Sequence, residues 1–166
     1  NIAITLQRNT IFHGTIGDNI RFGNPDASDE KMEEVTKVAE INKFIHSHKE
    51  GYDYVLAQAG ANISGGQKQR VCIARTLIKP ASVYLFDDSF SSVDYLTESK
   101  LRKKMNKYLA GKTQVIVTQR AATAMRCDTI YVLDRGELVG RGNHKELLES
   151  CDIYREIYDS QLGGAL

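Results

Sequence analysis

The sequence lacks the features that mark disulfide-bonded, metal-binding or membrane-spanning chains. Its three cysteines, Cys72, Cys127 and Cys151, are widely separated and form no Cys-x-x-Cys pair, which indicates reduced thiols in a cytosolic compartment. No apolar run approaches the roughly 20 residues needed to cross a bilayer, and no charged-then-apolar leader opens the chain. Because Asn1 stands where a complete protein has Met, we expect the chain to be part of a longer one.

Charge and composition are ordinary. The formal net charge is +1 and no long run of like charge is present, so charge argues neither for nor against nucleic acid or an anionic membrane as a partner. With 166 residues, of which 42% are apolar and 26% charged, the chain is typical of one globular domain with a sizeable core.

The stretch Ile63–Arg70 predicts a helix N-terminus that binds an anion. Ser64 and, three residues later, Gln67 form a capping-box pattern, and apolar residues at helical spacing follow them. Gly65 and Gly66 place no Cβ between the backbone and a ligand. Unpaired N–H groups, the positive end of the helix dipole and a hydroxyl would then face one spot, an arrangement that favours phosphate.

A second pattern predicts carboxylates at the edge of a parallel sheet. The apolar run Val83–Phe86 ends in Asp87 and Asp88. A short apolar run closed by an acid is typical of a buried parallel strand, and the C-terminal end of such a strand borders the ligand site in α/β proteins.

Together with Ser91–Asp94 just beyond, these patterns resemble the ATP-binding cassette (ABC) ATPases over nearly the whole chain. The first stretch is similar to the family's signature motif, the strand carrying Asp87 to its Walker B motif, and Ser91–Asp94 to its D-loop. The resemblance implies an α/β fold of the P-loop NTPase type, with a parallel sheet core, an α-helical subdomain and an incomplete N-terminus. Residues 24–80 would form the helical subdomain with the signature motif, and residues 1–23 and 81–166 would be parts of the catalytic core.

The family's P-loop, Gly-x-x-x-x-Gly-Lys followed by Ser or Thr, does not occur in the sequence. In the family this loop wraps the β- and γ-phosphates and lies upstream of the segment that opens this chain. We therefore expect ATPase activity in the intact parent protein, and we expect the chain alone neither to bind ATP tightly nor to hydrolyse it.

The resemblance implies ATP and Mg²⁺ as cofactors. It assigns contact with ATP to the residues that match the signature motif and the D-loop, which are Ser64, Gly65, Gly66, Gln67, Ser91 and Asp94. Gln7, in the place of the Q-loop glutamine, and Asp87 would hold Mg²⁺, a hard cation that takes oxygen ligands.

Two catalytic positions depart from the family pattern. Asp88 stands where the family has a glutamate as general base, and its side chain is one methylene shorter, although a base must come within about 2.6–3.2 Å of the proton that it accepts. Gln119 stands where the family has a switch histidine, and a neutral amide carries no titratable charge. Both changes predict lower activity at the site to which they belong.

The implied function is the coupling of ATP binding and hydrolysis to the export of a drug, a lipid or a peptide across a membrane. The turn-rich segment Thr10–Gly23 is similar to the exporter segment that contacts the coupling helices of the membrane domain. The implied partners are a second ABC cassette, with a heterodimer favoured, and a transmembrane domain of the same parent chain. No nucleic acid is expected, and the domain would lie at the cytoplasmic face of the cell membrane.

Two other functions remain as alternatives. A soluble ABC ATPase acting on DNA would be favoured by coiled-coil insertions or zinc-ligand clusters, and the sequence has neither. A regulatory cassette that never hydrolyses ATP would have no need of a signature motif and D-loop, and the sequence retains both.

Periodicity and turn residues predict the remaining elements. In the first part of the chain they are a strand at Asn1–Leu6, a helix over Asp29–His46 and a loop over Gly51–Asn62. A helix over Tyr95–Leu109 follows, with Leu96, Leu101, Met105 and Leu109 on one face, and then a buried strand at Gln114–Thr118. The last part is predicted to contain a hairpin of Thr129–Leu133 and Glu137–Val139, a helix from Asn143 with a solvated His144, and a frayed tail at Gln161–Leu166.

Overall fold

The computed structural model describes residues 1–163, and the chain forms two compact units that meet in sequence between Val117 and Thr118. The first unit contains, in chain order, β1 (Ile2–Thr5), β2 (Gly14–Thr15), α1 (Ile16–Arg21), α2 (Asp29–Val38), α3 (Asn42–His46), β3 (Val55–Leu56), α4 (Gly65–Ile78), β4 (Val83–Asp87), α5 (Tyr95–Tyr108) and β5 (Thr113–Val117). The second contains α6 (Ala121–Ala124), β6 (Ile130–Asp134), β7 (Glu137–Gly142), α7 (His144–Ser150) and α8 (Asp152–Leu162).

A parallel sheet of order β1-β4-β5 organises the first unit, as the sequence predicts. In its register Thr5 lies opposite Phe86, and Asp87 lies opposite Val117. Because all three strands run the same way, the residues that follow β1 and β4 emerge at one edge of the sheet.

The two faces of this sheet differ. Helix α4 packs against the face that carries Thr5, whose hydroxyl is hydrogen-bonded to that of Thr76 (2.7 Å). On the other face Ile4 is 49% exposed, Val115 42% and Val117 51%. The expectation of a fully buried strand at Gln114–Thr118 is therefore wrong, because strand side chains alternate and the helices of this unit cover one face only.

Helix α4 begins where the capping pattern places it. The Ser64 hydroxyl accepts a hydrogen bond from the Gln67 N–H (3.2 Å), and the Gln67 side chain accepts one from the Ser64 N–H (2.7 Å). The helix ends before Lys79, and the apolar positions of its predicted inner face are all buried, namely Val71, Ala74, Leu77 and Ile78.

Four further expectations in the first unit differ from the structure. The expected helix over Asp29–His46 is two helices, because the backbone turns at Glu40 with a φ of 56°. The turn-rich segment Thr10–Gly23 contains β2 and α1, which begins with a second capping box, and the loop Gly51–Asn62 contains β3. Leu96 is 70% exposed rather than on the inner face of α5, although Leu101, Met105 and Leu109 are buried as predicted.

The second unit is built on the predicted hairpin of β6 and β7. Its two-residue turn has a positive φ at both Arg135 (48°) and Gly136 (85°), the geometry that matches the twist of paired strands. His144 lies in the first turn of α7 but is half-buried rather than fully solvated, and its Nδ1 lies 2.9 Å from the hydroxyl of Tyr154. Helix α8 extends to Leu162, so the tail is helical at Gln161, and the rest of the predicted frayed segment, from 164 onward, lies outside the described residues.

Glu33 generates a prediction for the pH dependence of stability. Its carboxylate lies 3.1 Å from Nε2 of His46 and 3.1 Å from the Lys37 ammonium, and it accepts a hydrogen bond from the Tyr52 hydroxyl (2.9 Å). These contacts, that with His46 first, lower the pKa of Glu33 from 4.5 to about 2. A carboxyl whose pKa is lower in the folded than in the unfolded state stabilises the fold at pH values above its unfolded-state pKa. This stabilisation is lost as the pH falls through its folded-state pKa.

We expect the free energy of unfolding to fall between about pH 4.5 and pH 2, and Glu33→Gln to reduce that fall. Urea denaturation at several pH values in this range measures it. Glu50→Gln, at an exposed glutamate without an ion pair among residues 1–163, is the control. The same pH profile in wild type and Glu33→Gln would contradict the prediction.

Candidate nucleotide-binding site

The N-terminus of α4 borders a cavity of about 400 Å³. Within residues 1–163 the N–H groups of Gly65 and Gly66 have no hydrogen-bond partner, as expected for the first turn of a helix. The cavity is lined by the start of this helix and by the segment before α5, namely Ser64, Gly65, Gly66, Arg70, Ser92, Val93 and Asp94. Free N–H groups at the positive end of a 14-residue helix suit an anionic ligand.

The two segments approach closely at Gly66, where a side chain would force a neighbour to shift by a few tenths of an ångström. A Cβ on Gly66 would lie 3.0 Å from the carbonyl oxygen of Ser92, whereas one on Gly65 would make only ordinary contact with the Ser92 side chain at 3.8 Å. The second glycine of the motif therefore serves packing inside the chain, and the first leaves space in front of the helix.

Arg70 supplies a half-buried positive charge beside this cavity. Its guanidinium donates to the carbonyl oxygens of Gly66 (3.0 Å) and Glu40 (2.8 Å). Burial lowers the pKa of Arg70, and the charges of Asp94 and Glu40 act in the opposite direction. Asp94 caps α5, and the Thr97 N–H that donates to its carboxylate (3.0 Å) lowers the pKa of Asp94.

Gln69 ties this part of the site together, and sequence reasoning missed it. The side chain is fully buried, its Oε1 accepts a hydrogen bond from the Ser92 N–H (3.0 Å), and its Nε2 donates to the Asp88 carbonyl (3.4 Å). The Ser91 hydroxyl donates to the same carbonyl (3.0 Å), so Ser91 lies against the turn after β4, while Ser92 faces the cavity. A glutamine among the apolar positions of a helix can be recognised in the sequence, but its hydrogen-bond partners cannot be predicted from it.

Asp87 and Gln7 lie at the carboxyl ends of two parallel strands and are not in the lining of this cavity. Asp87 is the last residue of β4, and Gln7 follows the neighbouring parallel strand β1 by two residues. Neither side chain has a hydrogen-bond partner among residues 1–163, so both keep oxygen lone pairs free. Such donors fit Mg²⁺, which takes one or two protein oxygens and completes its shell with water and phosphate.

Asp88 has an unusual backbone conformation. Its φ is 41°, a left-handed value that aspartate and asparagine tolerate better than most residues. The Asp88 N–H donates to the carbonyl of Val117 (3.0 Å), and its own carbonyl accepts from Gln69 and Ser91. The backbone is thus fixed on both sides while the carboxylate has no hydrogen-bond partner in the described part of the chain.

Gln119 belongs to the second unit and is described with it. The residue is exposed, and its carbonyl accepts a hydrogen bond from the Gln161 side chain (2.8 Å), which also accepts one from the Ala121 N–H (2.9 Å). Helix α8 thereby fixes the backbone of Gln119 and leaves its side chain without a bond in residues 1–163.

The segment Thr10–Gly23 is held by Arg75 of α4. The guanidinium donates to the carbonyls of Thr10 (2.8 Å) and Asn19 (2.7 Å), and it lies 4.6 Å from the ring centroid of Phe12. Burial lowers the pKa of Arg75. Phe22, 65% exposed, packs against Phe12 and leaves an aromatic surface in this segment.

A parallel sheet with acids at its C-terminal edge, beside a capped and glycine-rich helix N-terminus, defines a nucleotide-binding α/β domain. Residues 1–91, more than half of the chain, match the family model described as ABC transporter. The chain therefore belongs to the ABC transporter family, and the predicted ABC ATPase fold is confirmed.

Relatives and solved structures agree with this assignment. The chain is 44% identical over 162 residues to the uncharacterized ABC transporter ATP-binding protein YfiB of Bacillus subtilis, covering 98% of this chain and 28% of that protein. It is 42% identical over 161 residues to heavy metal tolerance factor 1 of Caenorhabditis elegans, covering 97% and 20% respectively. A bacterial Atm1-family ABC exporter solved with ATP bound matches with a TM-score of 0.93 and 37% identity over 96% of this chain and 28% of that one.

The chain thus spans at most 28% of the length of these proteins. ABC ATP-binding domains bind ATP, generally with Mg²⁺, and are generally ATPases, and ABC exporters carry a transmembrane domain and a second cassette. No helix within residues 1–163 is long and apolar enough to cross a bilayer.

A substitution at Gln69 tests whether its hydrogen bonds stabilise the segments that form the site. Gln69→Leu removes both hydrogen bonds of a fully buried side chain, the one accepted from the Ser92 N–H and the one donated to the Asp88 carbonyl, and a typical hydrogen bond contributes about 0.5–1.5 kcal/mol. We expect a loss of about 2 kcal/mol in the free energy of unfolding, measured by urea denaturation. Gln58→Leu, at an exposed glutamine, should change it by less than about 0.5 kcal/mol, and equal effects of the two variants would contradict the role given to Gln69.

Proposed function

We propose that this chain is part of the nucleotide-binding domain of an ABC exporter and that its signature motif acts on ATP held by a partner cassette. Residues 24–80 would be the helical subdomain of that domain, and residues 1–23 and 81–166 parts of its catalytic core. The observation that carries the proposal is the start of α4, where Ser64 and two free glycine N–H groups line a cavity with Asp94. Bound there, a nucleotide would supply a γ-phosphate for these donors.

The chemistry at this position is electrostatic. The hydroxyl of Ser64, the N–H groups of Gly65 and Gly66 and the helix dipole would stabilise negative charge on a phosphate. Gln67 stays engaged in the capping box, so its part is to orient the turn. Ser91 holds the D-loop through its bond to Asp88, and Asp94 fixes the start of α5.

A second, slower site would be lined by this chain's own acids. Asp87 and Gln7 offer free oxygens for Mg²⁺, and Asp88 and Gln119 stand in the places of the family's glutamate and histidine. The shorter acid and the uncharged amide support ATP binding there with little turnover. This asymmetry supports a heterodimer in which the chain is the degenerate half.

The whole protein would couple this ATPase cycle to export of a drug, lipid or peptide. Its transmembrane domain would contact the cassette at the segment Thr10–Gly23, where Arg75 fixes the backbone and Phe22 is exposed. The domain would then lie at the cytoplasmic face of the cell membrane.

ATPase turnover of the assembled transporter tests the proposal. Ser64→Arg should abolish most of the turnover, because a guanidinium would fill the phosphate position in front of α4. Ser28→Arg is the control, since the Ser28 hydroxyl also accepts an N–H at a helix start, that of Lys31 in α2, and Ser28 does not line the cavity. The control should retain turnover within about two-fold, as expected for a lost helix cap outside the site.

In the same assay Asp88→Asn should change turnover by less than about two-fold, because asparagine tolerates the left-handed backbone and only the charge is lost. A ten-fold or larger loss of turnover in this variant corresponds to about 1.4 kcal/mol or more of transition-state stabilisation. That result would identify Asp88 as a functional general base and contradict the proposal that its site is degenerate.

A further inference from the structure

A second cavity, of about 640 Å³, lies at the opposite end of α4 from Ser64. The helix has 14 residues, so roughly 21 Å separates its two ends. The charged side chains around the second cavity are mostly of one sign, and they are Lys31, Glu34, Lys79, Lys104, Lys107 and Lys112.

Two of these lysines are neutralised within the protein. Lys31 pairs with Glu34 at 2.8 Å, and Lys104 pairs with Glu40 at 2.5 Å. The other three, Lys79, Lys107 and Lys112, are exposed, and in the described part of the chain none has a carboxylate within ion-pair distance.

The C-termini of two helices partly neutralise the positive charge around this cavity. Helix α4 ends at Ile78 and α5 at Tyr108, both in the cavity lining, and each C-terminus carries about half a negative charge. About two positive charges therefore remain uncompensated around one cavity, and a ligand with two acidic groups would match them.

The inner wall of the cavity is apolar. Leu77, Ile78 and Leu109 line it but are almost fully buried, so the apolar surface open to a ligand comes from the more exposed Val38, Pro80 and Tyr108. The hydroxyls of the two tyrosines in the lining are already used, since Tyr84 donates to the Lys79 carbonyl (2.8 Å) and Tyr108 to the Leu77 carbonyl (3.1 Å). Polar recognition thus falls to the lysines and to the side-chain amide of Asn24, and the wall can contact a hydrocarbon or aromatic frame.

We propose that this cavity binds a small dianion with an apolar body, that is, two acidic groups on one hydrocarbon or aromatic frame. Its volume lies within the range of small-molecule sites, about 300–1,000 Å³. Lysine ammonium groups act as compact point charges, so the acids can be carboxylate, sulfonate or phosphate. Binding weakens as salt rises, because the three free ammonium groups are exposed.

Isothermal titration calorimetry of the purified protein with 1,5-naphthalenedisulfonate tests the site. We expect saturable binding at low salt, weakened at least about ten-fold by the triple variant Lys79→Gln, Lys107→Gln, Lys112→Gln. The matched control is Lys100→Gln, Lys103→Gln, Lys145→Gln, which removes three exposed lysines that do not line the cavity. The control should bind within about two-fold of wild type, and Lys107→Glu alone should also weaken binding.

The neutral naphthalene-1,5-disulfonamide is the matched ligand control and should bind much more weakly. The proposal is overturned by the absence of saturable binding, by equal binding of the neutral analogue, or by equal affinity of the two triple variants. Circular dichroism of the lining variant verifies that it is folded, so loss of binding reports on the removed charges.

Discussion

Hydrogen bonds from the side chains of one helix to the backbones of its neighbours position the segments around the buried core of the first unit. Gln69, Arg70, Arg75 and Thr76 of α4 each donate to a carbonyl in a different segment, namely the turn after β4, the break between α2 and α3, the segment after β1, and β1 itself. Hydrogen bonds from charged donors contribute about 1.5–3 kcal/mol, and these bonds also fix where each loop lies.

Helix α4 also determines the geometry of the candidate site. The N-terminus of α4 presents free N–H groups to a ligand, while Gln69, one turn further on, fixes the segment that carries Asp88 and Ser92. These segments therefore share one helix as their common support. The same helix ends at the lysine-lined cavity, whose lining includes Ile78.

Local chemistry made much of the fold predictable. The cap at Ser64 and the turn at Gly136 depend on neighbours within four residues, and both are where the sequence places them. Helix α1 was missed although Thr15 and Asp18 form the same kind of capping pattern. The partners of Gln69 and the exposure of Val115 depend on which distant segments pack there, and no short-range pattern encodes that.

Photo-cross-linking from position 64 tests the central claim most directly. A photoreactive group attached to Ser64→Cys in the assembled transporter should, only with ATP and Mg²⁺ present, label a peptide of the partner cassette that contains a P-loop. Mass spectrometry of the cross-linked peptide identifies the target. Labelling of the turn at Asp87 and Asp88 in the same chain, or labelling that does not depend on ATP, would contradict a signature motif that acts on the partner's nucleotide.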